Sequence, residues 1–562
     1  MSIQHHPQRV RRRLRPAVAV LAAGSLALSA CGGSSEAEDV DTDEVLQEAG
    51  AGAMEEFSVG DTFVASEPVD FSLLYRDHPE YPIEDDWRFL EYLEDEHNVT
   101  LSTSNAPLSD WEERRSLVIG AGDAPDFIPV VASGDEAQFI AGGALLPVSD
   151  YLEFMPHFSE KIEEWDLEED MNSLYQEDGR FYVLPGLHEG PQDQYSIAVR
   201  GDIWDELGYD DPETWDEFAE QLQGVQDAYP DMTPYSDRWE LEATLNVAAP
   251  AFGTSAGWGG NTAFYDEELD EFVFAGAQDG YRDLMEYFHG LVDEGLMDSE
   301  SLTQDDDQAI QKFASGQSAA IGTNDQEILQ LRSSIEEVGD GEMDVRMIRP
   351  PAGPAGDRAA GGQLESGLVI SSDVAEEDHF VALLQFIDWL YYSDEGLEYA
   401  KWGIEGETFE RDGEERVLAD DIDINGLNPD GEEELNTDYG FHNGVFMPAH
   451  GSSIELVESM LRDEVVEFRE SMADKERTPV PPAAPLDELE RESVSLTENT
   501  LEDTVSTATA QFINGTRSLD EWDSYVSDLE GQGVEDYLET HNEAYERAQE
   551  EIDGVEEDME EE

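Results

Sequence analysis

Val69-Asp70-Phe71-Ser72-Leu73-Leu74 opens the stretch on which the fold turns. It is a short apolar run of strand type. Trp87, Leu90, Tyr92 and Leu93 follow at helical spacing, and Val99 to Ser102 reads as a second strand. Trp111 to Ile119 reads as a second helix ended by Gly120 and Gly122, and Phe127 to Val131 as a third strand. This β-α-β-α-β order with short connections predicts a mostly parallel sheet covered by helices. Ligands of such sheets sit beyond the carboxyl ends of the strands. Tyr75, Arg76 and Asp77 stand at that end of the first strand, and Ala132 to Asp135 at that end of the third.

Downstream, Gly179-Arg180-Phe181-Tyr182-Val183-Leu184-Pro185-Gly186 reads as a hairpin and Tyr195 to Arg200 as a strand. Thr214 to Gln226 reads as a helix with Thr214 as N-cap and Glu217 three residues on, the capping-box spacing. Helices expected at Gly280 to Glu294, Asp307 to Ala314, Gln326 to Val338 and Glu377 to Tyr391 alternate with strands at Ala319 to Gly322, Asp344 to Ile348 and Gly367 to Ile370. A second α/β unit is therefore expected after the first. Ser452 to Met472 and Pro485 to Tyr545 read as helical, and the acidic run Glu550 to Glu562 as a solvated tail.

Upstream, arginines at 9, 11, 12, 13 and 15 precede an apolar run from Ala17 to Leu28 that is too short to span a bilayer. Small residues lead from it to Cys31, the sole cysteine. This is the pattern of a lipoprotein signal covering residues 1–30, with acyl chains on Cys31 as the membrane contact at the extracellular face. A lone thiol in an exported chain has no disulfide partner, which argues against an ordinary secretory signal. Gly32 to Gly60 is rich in Gly, Ser, Ala and acids and reads as a flexible tether, 31–60.

The formal net charge of −106 sets the excluded partners. Nucleic acid is excluded by phosphate repulsion. Lys161, Lys312, Lys401 and Lys475 are the only lysines. So large a carboxylate excess, countered mainly by arginine, points to an exterior at high salt, where screening removes self-repulsion.

Several stretches resemble the large extracellular solute-binding lipoproteins of bacterial ABC importers that take oligosaccharides. Gly120-Ala121-Gly122-Asp123-Ala124-Pro125-Asp126 is similar to a turn of that family, and Asp178 to Pro185 to its crossing hairpin. Arg200-Gly201-Asp202-Ile203-Trp204-Asp205-Glu206-Leu207-Gly208 with Pro212 to Glu217 resembles its most recognisable signature. Tyr281 to Leu296, Phe313 to Ala320, Trp402 to Gly406 and Leu519 to Val526 continue the likeness in order. The resemblance implies a two-lobed periplasmic-binding-protein-like α/β fold of type II, with parallel-rich sheets flanked by helices and a helical C-terminal region. Ligand would be enclosed between the lobes of a monomer. The expected layout is lobe 1 from 61–195, lobe 2 from 196–400, return segments and C-terminal helices over 401–549, and a tail at 550–562.

Sugars present apolar CH faces and hydroxyls, so their sites need exposed rings for stacking and polar groups for hydrogen bonds. Trp258, in Gly257-Trp258-Gly259-Gly260, stands where no core periodicity calls for tryptophan. Trp402 lies before Gly403 and Gly406, with a stacking and a helix-end packing role equally open, and Glu405 beside it. Trp239 and Phe252 precede Trp258 in a loop-rich stretch, whereas Trp204, Trp215, Trp389 and Trp522 sit at helix-periodic positions and read as packing. Tyr75, Arg76 and Asp77 are candidates by position, Asp126 and Arg200 by the motifs they match, and His188 and Glu189 by following the crossing hairpin.

Asp421, Asp423, Asn425, Gly426 and Glu432 fit a D-x-D-x-N-G-x5-E calcium loop. With 135 acidic residues in 562, carboxylates fall into such registers by accident. Pro429 at position 9 and Asn428 at position 8 also depart from the loop's pattern. No cofactor is expected otherwise. The leading reading is a non-catalytic receptor that hands an oligosaccharide to importer permease subunits. A cell-surface carbohydrate-active enzyme and a receptor for a peptide or other non-sugar ligand remain the rivals.

Overall fold

The computed structural model describes residues 42–561 except 80, 133, 259, 261, 268, 339–343, 414 and 448–450. Residues 1–41, with Cys31 and the signal pattern, lie outside the described residues. The strands that place the site are β1 (Val69–Asp77), β2 (Val99–Pro107), β3 (Phe127–Val131), β4 (Val183–Leu187), β5 (Tyr195–Arg200), β6 (Ala320–Asn324), β7 (Val345–Ile348) and β8 (Leu364–Ile370). The helices used below are α1 (Thr42–Ala49), α2 (Trp215–Ala228), α3 (Phe380–Tyr392), α4 (Asp394–Trp402), α5 (Asp463–Met472), α6 (Glu488–Ile513) and α7 (Val534–Glu561). No described helix is long and apolar enough to cross a membrane.

The first sheet has the order β2-β1-β3-β8-β4. β1 pairs parallel with β2 and β3, while β8 runs antiparallel between β3 and β4. The expected hairpin at 179–186 is therefore not a hairpin: only Val183–Leu187 is strand, and its partner lies about 180 residues further on, in β8. Under this sheet runs α3, buried at every position because FVALLQFIDWLYY is apolar on all sides. The second sheet, β6-β5-β7, is antiparallel throughout.

Two cores follow from the two sheets. One joins residues 49–187 to 368–460, the other residues 197–348 to 494–537. The expected boundary of lobe 2 at residue 400 is thus corrected. β8, α3 and α4 complete lobe 1, because β8 is hydrogen-bonded to β3 and β4. The helices α6 and α7 close lobe 2. Part of the expected tether is also structured: Thr42–Ala49 is a helix against α3, Ala49 and Ala53 are buried, and Met54 N donates to Gln385 Oε1 at 2.8 Å. At the other end, α7 continues through the acidic run to Glu561.

The chain crosses between the cores at 188–194, 349–363 and 461–487, and the crossings touch. His188 N donates to Gln363 O at 3.0 Å, His188 bridges Ser452, and Arg358-Ala359 pairs with Glu476-Arg477.

Candidate functional site

β1, β3 and β4 share one direction, since β3 and β4 are both antiparallel to β8. Their carboxyl ends therefore lie on one edge of lobe 1, and from that edge β4 runs into the crossing. On lobe 2 the matching edge holds Tyr195, the first residue of β5, and its register partner Asn324, the last of β6.

At that edge three rings meet. Tyr195 lies 5.8 Å from Trp239 and 5.3 Å from Trp258, and the two indoles are 5.5 Å apart. Trp258 keeps 44% of its surface exposed. The guanidinium of Arg238 covers the Trp239 ring at 3.9 Å, an attractive placement over the ring quadrupole. Arg238 is itself held by Gly322 O at 3.0 Å and by Glu327 at 3.0 Å.

The backbone under Trp239 is strained. Trp239, Glu240 and Leu241 have φ of 54°, 53° and 74°, a left-handed run that residues with a Cβ adopt at a cost. Buried Asp237 anchors it, accepting from Gly322 N at 2.5 Å, Arg238 N at 2.9 Å, Tyr235 Oη at 2.6 Å and Thr244 Oγ1 at 2.6 Å. Trp239 N donates to Asp306 at 2.9 Å. Gly257, before Trp258, has φ +76°, and a Cβ there would meet Glu242 O at 2.1 Å.

Next to these rings lies a cavity of about 100 Å³ between the lobes. Gln192 and Gln194 from the crossing, Asp325 from the end of β6, Lys401 and His442 from lobe 1, and Arg462 and Arg469 from the α5 region line it. Gln194 O accepts from Asp325 N at 3.1 Å, which joins cavity to platform. Arg469 donates to Gln192 Oε1 and to Asp325 Oδ2, both at 3.0 Å. Arg462 reaches Glu464 at 3.0 Å, Asn425 O at 3.1 Å and Asp325 O at 3.0 Å. Burial, and then the Arg469 charge, push the Lys401 ammonium down from 10.5 to about 7. The arrangement offers stacking faces beside a hollow whose lining mixes Lys401, Arg462 and Arg469 with Asp325, amide side chains and apolar residues such as Leu329, Val457 and Met460.

Residues 80–395 match the family model described as bacterial extracellular solute-binding protein. The chain belongs to that family. It is 22% identical over 331 residues to a polygalacturonan/rhamnogalacturonan-binding protein, YtcQ, of Bacillus subtilis, covering 54% of this chain and 64% of that one, a little under two thirds of the relative. It is 22% identical over 493 residues to the fructooligosaccharide ABC transporter substrate-binding protein FusA of Streptococcus pneumoniae, covering 82% of this chain and 87% of FusA. Its fold is similar to that of an HMO-binding, ABC-transporter-associated solute-binding protein from Bifidobacterium longum infantis. The TM-score is 0.67 at 18% identity, covering 85% of this chain and 99% of that one.

In this solute-binding protein the residues singled out in the sequence separate into groups. Trp239 and Trp258 come together at the inter-lobe edge. Arg76 and Asp77 are half-buried at the same edge of lobe 1, where Asp77 accepts from Ile83 N at 3.1 Å. Burial lowers the Arg76 pKa.

The others are corrected. Tyr75 is fully buried and accepts from Asn443 Nδ2 at 2.7 Å, because its alternate position on β1 faces the core. Trp402 is 2% exposed and donates from its indole to Ser459 Oγ at 3.0 Å, so the packing role holds and stacking does not. Glu405 points out from an exposed turn towards Arg411. Phe252 is buried beside Trp215 and Tyr287. Asp126 clamps Ser72, accepting from its backbone N at 2.7 Å. Arg200 lies at the end of β5 remote from the crossing, in a bidentate pair with Asp202 at 2.7 Å. His188 is buried among the crossing segments, and Glu189 accepts from Ile454 N at 2.7 Å, at the start of the remote helix Ile454–Glu458.

The calcium register does not converge either. Asp423 accepts from Asn428 N at 2.8 Å, Asn425 Nδ2 meets His442 Nε2 at 3.3 Å, and Asp421 and Glu432 are exposed. Among the described residues no group of three or more His, Cys, Asp or Glu side chains is placed to hold a metal ion. Sequence reasoning missed Tyr195, Arg238, Lys401 and Arg469. For Lys401 a signal existed: it is one of four lysines in a chain that has shed them.

Proposed function

We propose that the chain is a receptor that captures an oligosaccharide between its two lobes and presents it to the permease subunits of an ABC importer, anchored at the extracellular face by lipid on Cys31. The observation that carries the reading is the Tyr195, Trp239 and Trp258 cluster, with Trp258 44% exposed at the edge where the chain passes between lobes. An exposed indole in a glycine-rich turn is costly to leave in water and is what the CH face of a pyranose stacks on. Membership of a binding family and the oligosaccharides named for FusA and YtcQ support the same class of solute.

The test is calorimetry of the purified chain against neutral and acidic oligosaccharides and short peptides, repeated with Trp258→Ala. Saturable binding of a sugar, weakened by the substitution without loss of fold, supports the receptor reading. Binding of peptides alone, or turnover of the sugar by rigorously purified protein, contradicts it. Anchoring is checked separately: Cys31→Ser is expected to move the protein from the membrane fraction to the medium, and its retention in the membrane contradicts the lipid anchor.

A further inference from the structure

We infer that Asp306 is a positioning residue of the indole platform: by accepting from Trp239 N it holds the strained turn at 239–241, and with it the paired rings, in the orientation that receives a sugar. The inference rests on the oligosaccharide reading above and adds the residue that presets its site.

The first support is the hydrogen bond itself. Asp306 is exposed and opens the helix Asp306–Ala314. A carboxylate in a first turn ordinarily serves the N–H groups and the dipole of its own helix. This one accepts from the Trp239 amide, 67 residues away in sequence, at 2.9 Å. Hydrogen bonds to an ionised acceptor are the stronger kind.

The second support is what the bond restrains. Trp239, Glu240 and Leu241, each with a Cβ, stand in succession at φ of 54°, 53° and 74°. Such a run persists only where its surroundings over-determine it. Both flanks are fixed. Asp237 N donates to Ser301 Oγ at 2.8 Å, Gln304 Nε2 donates to Asp237 O at 2.5 Å, and on the far side Leu241 is buried, its N donating back to Arg238 O at 3.1 Å. Between those flanks Trp239 is half-buried and Glu240 exposed, and Asp306 ties the turn from outside it.

The third support is what hangs on the turn. The Trp239 ring lies 3.9 Å from the Arg238 guanidinium and meets the Trp258 ring at 5.5 Å, with the two planes at 60°. A shift of the Trp239 backbone disturbs both contacts at once. A surface fixed before the ligand arrives spares binding the cost of ordering it.

Parent, Asp306→Ala, Asp306→Asn and Trp258→Ala are to be compared by melting curves, far-ultraviolet circular dichroism and calorimetry with fructooligosaccharides, maltooligosaccharides and oligogalacturonates. Among the described residues Trp239 and Trp258 are the only two tryptophans whose rings meet, so their coupled transitions give a dichroic couplet that needs no ligand and that Trp258→Ala abolishes. Asp306→Ala is expected to melt close to the parent, to lose much of the couplet, and to bind the sugar about five- to tenfold more weakly. Asp306→Asn keeps an oxygen for the Trp239 N–H and is expected to restore both readouts. A parental couplet and affinity in Asp306→Ala overturn the inference. So does an equal loss in Asp306→Asn, which makes the charge and not the hydrogen bond responsible. An Asp306→Ala chain that melts far below the parent overturns it too, by assigning the residue to general stability. Loss of the couplet with no sugar bound even by the parent overturns the oligosaccharide reading and leaves the hold on the turn standing.

Discussion

Trp258 leaves nearly half of its surface open and packs against the rings of Tyr195 and Trp239. Trp258→Ala is expected to weaken sugar binding by about 1–3 kcal/mol, the scale of a buried aromatic contact, with an unchanged melting temperature. Trp402→Ala is expected to do the reverse, costing about 3–5 kcal/mol of stability as a core cavity opens and an indole hydrogen bond is lost. Thermal melts and titrations of the two variants side by side check both. Lys401 gives a pH signature. Its folded pKa of about 7 lies below the ordinary 10.5, so between these values the unfolded chain binds the proton more tightly. Stability therefore carries the full penalty below about pH 7 and recovers as pH rises towards 10.5. Asp325, His442, Arg462 and Arg469 line the same cavity. Lys401→Met is expected to melt above the parent at pH 6, with the gap closing by pH 10; a gap that is absent at pH 6 contradicts the buried ammonium. At this scale Trp258 was legible in the sequence because glycines and lack of periodicity mark an exposed ring. Trp402 carries the same neighbourhood, yet its burial comes from Ser459 and Phe409, contacts that no local pattern encodes.

Among the elements, those closed by local signals match the sequence reading to within a few residues. The helix α2 begins after Thr214, whose Oγ1 accepts from Glu217 N at 3.1 Å while Glu217 accepts from Glu213 N, as the capping spacing implies. Strands β3 and β5 have the expected bounds. What the sequence could not disclose is pairing across distance: β4 needs β8, and a residue pattern carries no record of which remote strand lies beside it. The left-handed turn at 239–241 was equally hidden, since no glycine announces it. That turn yields a prediction. Glu240 is exposed with φ 53°, so Glu240→Gly is expected to relieve strain and stabilise the chain by about 0.5–1 kcal/mol, read as a rise in melting temperature. A lower melting temperature contradicts the strain.

At the scale of the molecule, the four lysines, all among the described residues, are buried or paired. Lys161, Lys401 and Lys475 are buried, and Lys312 is bound by Asp298 and Glu300 at 2.7 Å. The exterior is left to carboxylates, whose repulsion is removed when molar salt shortens the Debye length to about 3 Å. The melting temperature is therefore expected to rise from dilute buffer to molar sodium chloride, and a flat response removes the argument for a salt-adapted surface. Two cores are joined by three crossing segments. The most direct test of the account is a crystal structure with the tightest-binding oligosaccharide. It is expected to show a pyranose ring against Trp258 and Trp239, with the ligand in contact with both lobes beside Gln194 and Lys401. A sugar seated elsewhere, or touching one lobe only, contradicts it.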